Sequence, residues 1–400
     1  MAETSTLILG GGFGGLATAF TLRSLVPPEH TITVVDKSPD FIVGATKTWV
    51  MLGDRDIPDI TARRTSLLPS GVEFLLDDVQ AVDPHRGEVR TSRQTFRPDF
   101  LVIALGAELN MGAVPGLREA AHTFYTLEGA IRLRDTLKRF RSGELVMLIP
   151  RTPFKCPPAP YEAAMLLHRL LKDREHSSRI HLSICTVEPA PMPTAGPEMG
   201  TFIRGTIEER GIKYVPLKKT LRVDGDRSRI VFEDGGETPY DLLIAIPPHE
   251  APSIVRQSGL TNQSGWIPVD PKTLTVLNAR TRIPVFAIGD VVSLSLPGRF
   301  QPDVALSLPK AGVFAASQGV TVAKRIASAI LNSKRDDSFD GKGFCYIETG
   351  DDMAIKGEGA FFELPSPVMQ KRPADRSQFN DKLDWVDHWL RGRISQALQH

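Results

Sequence analysis

The chain has 400 residues, which suits two or three hydrophobic cores better than one. Its 41% hydrophobic and 24% charged residues are ordinary for a globular protein. Lys plus Arg (48) nearly balance Asp plus Glu (47), and a net charge of +1 gives no reason to expect nucleic acid as a partner. No apolar run reaches the roughly 18 residues of a membrane span. Met1-Ala2-Glu3-Thr4-Ser5 leads straight into an apolar strand, without the basic start and long apolar stretch of a signal peptide. The cytoplasm is therefore the expected compartment. Three cysteines cannot build a disulfide scaffold, so a pair among them is expected to be redox-active rather than architectural. No metal site is expected.

Short β-branched runs alternate with amphipathic stretches, which argues an α/β fold. The first unit reads as a strand over Thr6–Leu9, a turn over Gly10–Gly15, a helix over Leu16–Leu25 and a strand over Thr31–Val35. A later strand, Phe100–Ala104, ends at Leu105-Gly106-Ala107. A second unit has strands over Leu145–Ile149 and His181–Val187 around a helix over Tyr161–Lys172. Gly236–Ile246 reads as the return towards the first domain. Thr281–Ile288 is another apolar strand, followed by a helix over Ala311–Leu331. A turn-rich stretch, Asn332–Gly343, leads to Phe344-Cys345-Tyr346-Ile347. Pro365–Arg376 is loop-like, and Phe379–Leu398 reads as one final amphipathic helix.

The expected architecture is two Rossmann-like dinucleotide-binding domains plus a C-terminal segment. The first domain is discontinuous, over residues 1–110 and 241–331. The second spans 111–240, and the C-terminal region spans 332–400.

Gly10, Gly12 and Gly15 spell G-x-G-x-x-G between a strand and a helix. The first glycine makes the tight turn, the second admits a pyrophosphate to the backbone, and the third lets helix pack on strand. The helix N-terminus adds free amides and a positive dipole end. Asp36 ends the second strand with Lys37 beside it, and a carboxylate there accepts hydrogen bonds from the adenosine ribose. A dinucleotide site follows, with Gly106 and Ala107 at the end of a neighbouring strand completing it.

A second signal chooses FAD over NAD. Pro284-Val285-Phe286-Ala287-Ile288-Gly289-Asp290 resembles the late FAD motif of the pyridine-nucleotide-disulfide reductase superfamily. The resemblance puts Asp290 on the ribityl chain. Pro309-Lys310-Ala311-Gly312 then opens a helix whose positive end faces the flavin pyrimidine and favours negative charge on the reduced ring. In NADH-using relatives the second domain carries its own glycine-rich loop. Here the equivalent stretch, Pro150 to Pro160, has no glycine and has prolines at 150, 153, 157, 158 and 160. Proline has no amide proton, so this loop cannot cradle a pyrophosphate, which argues against NAD(P)H as donor.

That loop carries Cys156 just before a helix, beside Lys155. A helix dipole and a cation lower a thiol pKa, so a reactive thiolate is expected there. Pro153-Phe154-Lys155-Cys156-Pro157-Pro158-Ala159-Pro160-Tyr161-Glu162 resembles the cysteine loop of sulfide:quinone oxidoreductases, and more closely that of the flavoprotein subunit of flavocytochrome c sulfide dehydrogenase. The resemblance extends over nearly the whole chain. It implies a second redox cysteine from the C-terminal region, matched here by Cys345, and a Cys156–Cys345 disulfide against the flavin. It implies that hydrosulfide attacks this disulfide, leaving a persulfide on one cysteine and a thiolate, assigned to Cys345, on the other. Two electrons then pass through FAD to a quinone. Glu162 reads either as a local proton carrier or as an exposed helix acid. Cys185, mid-strand in Ile184-Cys185-Thr186, reads as a small core residue.

The chain departs from the family in two places. Asn110–Thr126 lacks the third cysteine of many sulfide:quinone oxidoreductases, which leaves sulfur release without a residue. Phe41–Met51 lacks the cysteine that holds flavin covalently in flavocytochrome c, so noncovalent FAD is expected. Leu383, Val386, Leu390, Ile394 and Ala397 form an apolar stripe flanked by Trp385 and Trp389, with Lys382, Arg391 and Arg393 nearby. The helix reads as interfacial, at a membrane that holds quinone, or as packed on its own domain or a second subunit. Asp381, Asp384 and Asp387 weigh against the membrane. Three functions are compatible: oxidation of sulfide or a related persulfide with quinone as acceptor, a type II NADH dehydrogenase-like flavoenzyme, and a flavin-bearing redox sensor or electron-transfer protein.

Overall fold

The computed structural model describes residues 4–172, 174, 177–277, 279–334 and 336–399. Met1–Glu3, read above as leading into the first strand, lie outside the described residues. The first unit runs through β1 (Ser5–Leu9), α1 (Phe13–Leu25), β2 (Thr31–Asp36), β3 (Glu73–Leu76) and β4 (Phe100–Ile103). The second contains β5 (Gly143–Ile149), α2 (Ala159–Lys172), β6 (Ile180–Thr186), β7 (Lys213–Val215) and β8 (Leu242–Ala245). The chain returns with β9 (Val285–Ala287) and α3 (Gly312–Ile330). It ends in β10 (Lys342–Gly350), β11 (Met353–Ala360), β12 (Val368–Asp375) and α4 (Arg376–Leu390).

β1, β2 and β4 are runs of buried aliphatic side chains, the mark of parallel strands covered on both faces. They form a parallel sheet in the order β9-β4-β1-β2-β3. β5 is equally apolar and heads a second parallel sheet, β7-β6-β5-β8. Leu242–Ala245, read above as part of the return to the first unit, thus completes the second sheet instead. Its four residues are all buried, and an apolar run of this kind fits either sheet equally well.

The C-terminal region differs from expectation in two ways. Pro365–Arg376 is not a loop, because β12 pairs antiparallel with β11 at the edge of a three-stranded sheet, β10-β11-β12. Lys371, Arg372 and Pro373 disguised it, yet these residues are tolerated on edge strands. The final helix is also broken. α4 stops at Leu390, Gly392 turns the backbone at φ +69°, and Ile394–Ala397 forms a separate short turn of helix. Among the described residues no helix is long and apolar enough to cross a membrane.

α1 and α3 pack almost backbone to backbone. A Cβ on Gly319 would lie 2.5 Å from the Gly14 carbonyl, and one on Gly15 would lie 1.8 Å from the Gly10 carbonyl. The first contact joins α1 to the middle of α3 and the second closes the turn before α1, while Phe13 over Gly312 brings the two helix starts together. Gly15→Ala should lower the urea unfolding midpoint by an amount equivalent to about 1–3 kcal/mol, because the backbone oxygen it meets cannot step aside. An unchanged midpoint in equilibrium unfolding would show that the turn has slack.

Candidate active site

The turn between β1 and α1 is tied from behind. Gly11 N–H donates to Asp36 Oδ2 at 2.7 Å and Ser38 N–H to Asp36 Oδ1 at 2.9 Å. Arg64 Nε donates to the Gly11 carbonyl at 2.8 Å and pairs with Asp36 at 3.4 Å. Asp36 therefore holds the turn itself. Lys37 next to it is exposed. Gly10 and Gly15 close the turn, while Gly12 faces an open cavity with nothing within 4 Å of where its Cβ would stand. Phe13 follows, its ring lying over Gly312 at the start of α3.

Gly106, Gly289, Asp290, Lys310 and Gly312 line the same cavity. Ala107 packs on the first core instead. Gly289 takes φ +75° and donates its N–H to Gln318 Oε1 at 2.7 Å. This leaves Asp290 Oδ1 buried without a hydrogen-bond partner. Lys310 turns its ammonium away, donating to the carbonyls of Asp290 (2.7 Å) and Val292 (2.9 Å) over the Trp266 ring. Burial pushes it down to about 8, against the pull of Asp290.

Both candidate cysteines reach this cavity. The loop after β5 is docked on the segment that opens α3, with Cys156 N–H donating to the Lys310 carbonyl at 2.7 Å. Tyr125 steadies it with a hydroxyl donated to the Lys155 carbonyl at 3.0 Å. Cys156 sits at φ +56°, a left-handed conformation rare for a residue with a Cβ and common at functional sites. Cys345 comes from β10, opposite Gly357, where a Cβ would lie 3.4 Å from its sulfur. Both are free thiols here. Cys185 is buried in β6 among aliphatic side chains, as a core residue should be.

The low thiol pKa expected from Lys155 and the helix end is not what the site produces. Burial, then the Glu162 charge, push Cys156 up to about 12, outweighing the opposing pull of Lys382 and Lys47. Burial likewise pushes Cys345 up to about 12, its backbone hydrogen bond with Gly357 opposing and Glu162 adding to it. Lys47, not singled out from the sequence, lines the cavity and is pushed down to about 7, by burial first and by Lys155 second.

Glu162 is not an exposed helix acid. It is buried in the first turn of α2 and meets two residues that the sequence reading gave no role in the chemistry. Lys382 Nζ donates to its carboxylate at 3.2 and 3.3 Å and to Glu348 Oε1 at 2.5 Å. Glu348 N–H donates to Glu162 Oε2 at 2.9 Å, and Trp49 Nε1 to Glu348 Oε1 at 2.7 Å. Burial pushes Glu162 above the usual carboxylate range, with Glu348 adding to it and Lys382 opposing. Burial disfavours the Lys382 charge, but the two carboxylates overcome it and hold the ammonium.

These contacts redefine α4. Lys382, which only the interfacial of the two readings above would expose, is 2% exposed, and Trp389 is 1% exposed. Trp385 stacks on Phe13 at 5.6 Å and Trp389 meets the same ring edge-on at 4.8 Å. Residues 382, 385 and 389 share one helical face, a spacing that would have placed the lysine inward with the tryptophans. The helix covers the cavity of its own chain.

The chain resembles known flavoproteins in sequence and in fold. Residues 4–149 match the family model of pyridine nucleotide-disulphide oxidoreductases. Residues 130–190 match that of the central region of the flavocytochrome c sulfide dehydrogenase flavoprotein chain. A mitochondrial sulfide:quinone oxidoreductase of Mus musculus is 25% identical over 385 residues, spanning 93% of this chain and 81% of its own. Over most of its length the chain is similar to sulfide:quinone oxidoreductases, and over its central part to the flavocytochrome c flavoprotein chain. The crystal structure of the Aquifex aeolicus sulfide:quinone oxidoreductase superposes with a TM-score of 0.86 at 22% identity, covering 98% of this chain and 92% of that one. A type II NADH:quinone oxidoreductase of Staphylococcus haemolyticus is 23% identical over 363 residues, spanning 86% of this chain and 85% of its own.

FAD is the cofactor of this family, and the cavity fits it. Open space stands over Gly12 and Gly106, the Asp290 carboxylate oxygen lacks a donor, and the unpaired amides at the start of α3 point to the same place.

Two outcomes follow for this constellation. Lys382→Met should cost about 3–5 kcal/mol of stability, since it strands two carboxylates in the interior. A thermal melt close to wild type would contradict that. Glu162→Gln removes a charge that raises both thiols, so iodoacetamide should alkylate the reduced cysteines about 3–10-fold faster at mildly alkaline pH. Equal rates in variant and wild type would mean that burial alone governs the thiols.

Proposed function

We propose that the protein oxidises sulfide, or a related persulfide, through Cys156 and Cys345 and delivers the electrons by way of FAD to a quinone. The observation that carries this reading is the meeting of Cys156, Cys345, Gly12, Asp290 and Gly312 around one cavity, from segments far apart in the chain. The family relationship supports it, and the sulfide:quinone oxidoreductases named above are relatives by both sequence and fold.

In this reading Gly12, Gly106, Asp290 and the start of α3 hold the cofactor, and Asp36 and Arg64 keep the pyrophosphate turn in shape. Bound there, FAD supplies a two-electron acceptor beside the sulfurs. The cysteines work as a disulfide. Hydrosulfide attacks one sulfur, the S–S bond breaks, and the products are a cysteine persulfide and a cysteine thiolate. A thiolate in this apolar setting is a high-energy species, which drives its electrons onward. Glu162, within the same cavity and with a raised pKa, gives and takes the accompanying protons.

The loop after β5 weighs against NADH as donor. It is built on prolines, and the amide of Cys156 is already spent on the Lys310 carbonyl. α4, seated on Phe13, gives the acceptor side an aromatic wall from Trp385 and Phe344. Contact with a membrane would then involve surfaces other than its tryptophans.

Anaerobic titration with sulfide should bleach the oxidised flavin band of the purified holoprotein, whereas NADH should leave it unchanged. Cys156→Ser and Cys345→Ser should each lose at least about a hundredfold in bleaching rate, as loss of a covalent nucleophile does. Bleaching at wild-type rate in both variants would end the two-cysteine mechanism.

A further inference from the structure

Glu162 and Lys382 line the cysteine cavity, but Glu348 does not. Glu348 instead forms the buried end of a separate surface groove walled by Trp49, Leu166 and Leu383. We propose that Glu348 and Lys382 are the outer half of a proton conduit running from this groove to Glu162. The proposal rests on the reading of the site as a quinone reductase, a reaction that takes up one proton with each electron.

The geometry is a single layer of side chains between two openings. Lys382 Nζ touches Glu348 Oε1 at 2.5 Å on the groove side and the Glu162 carboxylate at 3.2 Å on the cavity side. Two carboxylates share one ammonium, so the cluster is one proton short of neutral, and an added proton can sit on either acid. It crosses when Lys382 gives a proton to Glu162 as it takes one from Glu348. The ammonium ends as it began, and no charge is left isolated in the interior. Glu162 lines the cavity together with Cys156, Cys345 and Tyr125, so a proton arriving there reaches the space of the reacting groups.

The groove supplies the other end. Its acids are already tied to cations at the mouth: Asp54 to Arg169 (2.7 Å), Asp351 to Lys172 (3.0 Å) and Asp352 to Arg376 (2.8 Å). Arg55 also faces the opening. Glu348 is different. Its carboxylate is held by the Trp49 indole, which donates to it without titrating, and by Lys382, through which that carboxylate is linked to the one of Glu162. A purely structural bolt would not need one of its carboxylates at the base of an open groove.

The test uses holoprotein whose flavin is reduced photochemically, then reoxidised by a short-chain ubiquinone. Glu348→Gln keeps an acceptor for Trp49 and Lys382 but carries no proton. It should reoxidise about tenfold or more slowly, with a larger solvent deuterium isotope effect and delayed proton uptake by an indicator dye. Glu348→Asp should recover most of the rate, and Leu383→Trp, which fills the groove without removing any of the three charged groups, should slow it similarly. Melting curves and the flavin spectrum identify any variant that has failed to fold, and the groove variant then carries the test. Infrared titration of flavin-free protein provides a readout independent of turnover: one shared carboxyl proton should change in both Glu162→Gln and Glu348→Gln. Wild-type rates and isotope effects in Glu348→Gln and Leu383→Trp overturn the conduit. If sulfide fails to bleach wild type while these variants still slow quinone reoxidation, the donor assignment falls and the conduit stands. If no quinone reoxidises the reduced wild-type flavin, both fall.

Discussion

One buried ammonium organises the active region. Lys382 sits between Glu162 of α2 and Glu348 of β10, so a single charge joins the second α/β unit, the C-terminal sheet and the last long helix. Burying three charges is costly, and apolar residues of the same volume would hold these elements together as well or better. The arrangement gives precision instead. An ammonium that must satisfy two carboxylates fixes the rotation of α4. That rotation puts Trp385 and Trp389 onto Phe13 and closes the cavity in which the two cysteines meet.

The cysteines themselves are positioned by backbone. Cys156 is fixed by its amide to the Lys310 carbonyl and by a left-handed conformation. Cys345 is fixed by its register against Gly357, where a larger residue would crowd its sulfur. The proline-rich loop thus does two things with one composition. It removes the amides a second nucleotide would need, and it stiffens the presentation of a sulfur to the first.

Much of this was legible in the sequence, for identifiable reasons. Glycine positions are readable because only glycine tolerates a Cβ site 1.8 Å from a carbonyl, so Gly15 announces the helix–strand contact. The prolines of the cysteine loop are readable because a missing amide is a local fact. The role of Lys382 was not legible as chemistry, because its partners lie 220 and 34 residues away and no local rule pairs them. Its inward direction was available from its helical spacing to Trp385 and Trp389. β8 went astray because a buried apolar strand carries no label for its sheet, and β12 because edge strands carry the same charges and prolines as loops.

The thiol environment shows why local reasoning about Cys156 pointed the wrong way. A nearby lysine and a helix start are both real, yet they act on a sulfur deep in an apolar cavity beside an acid. Desolvation disfavours the thiolate more than the Lys382 and Lys47 charges favour it. A site built this way is poor at keeping two free thiolates and well suited to a disulfide, which is neutral and needs no solvation. The attacking sulfur then has to come from outside, as a hydrosulfide that is already ionised near neutral pH. The thiolate it releases is unstable where it forms and must quickly pass on its electron pair or gain a proton. In the reaction proposed above both routes are at hand in the same cavity, in the flavin cradle and in Glu162, so a raised thiol pKa would give that reaction its direction rather than obstruct it.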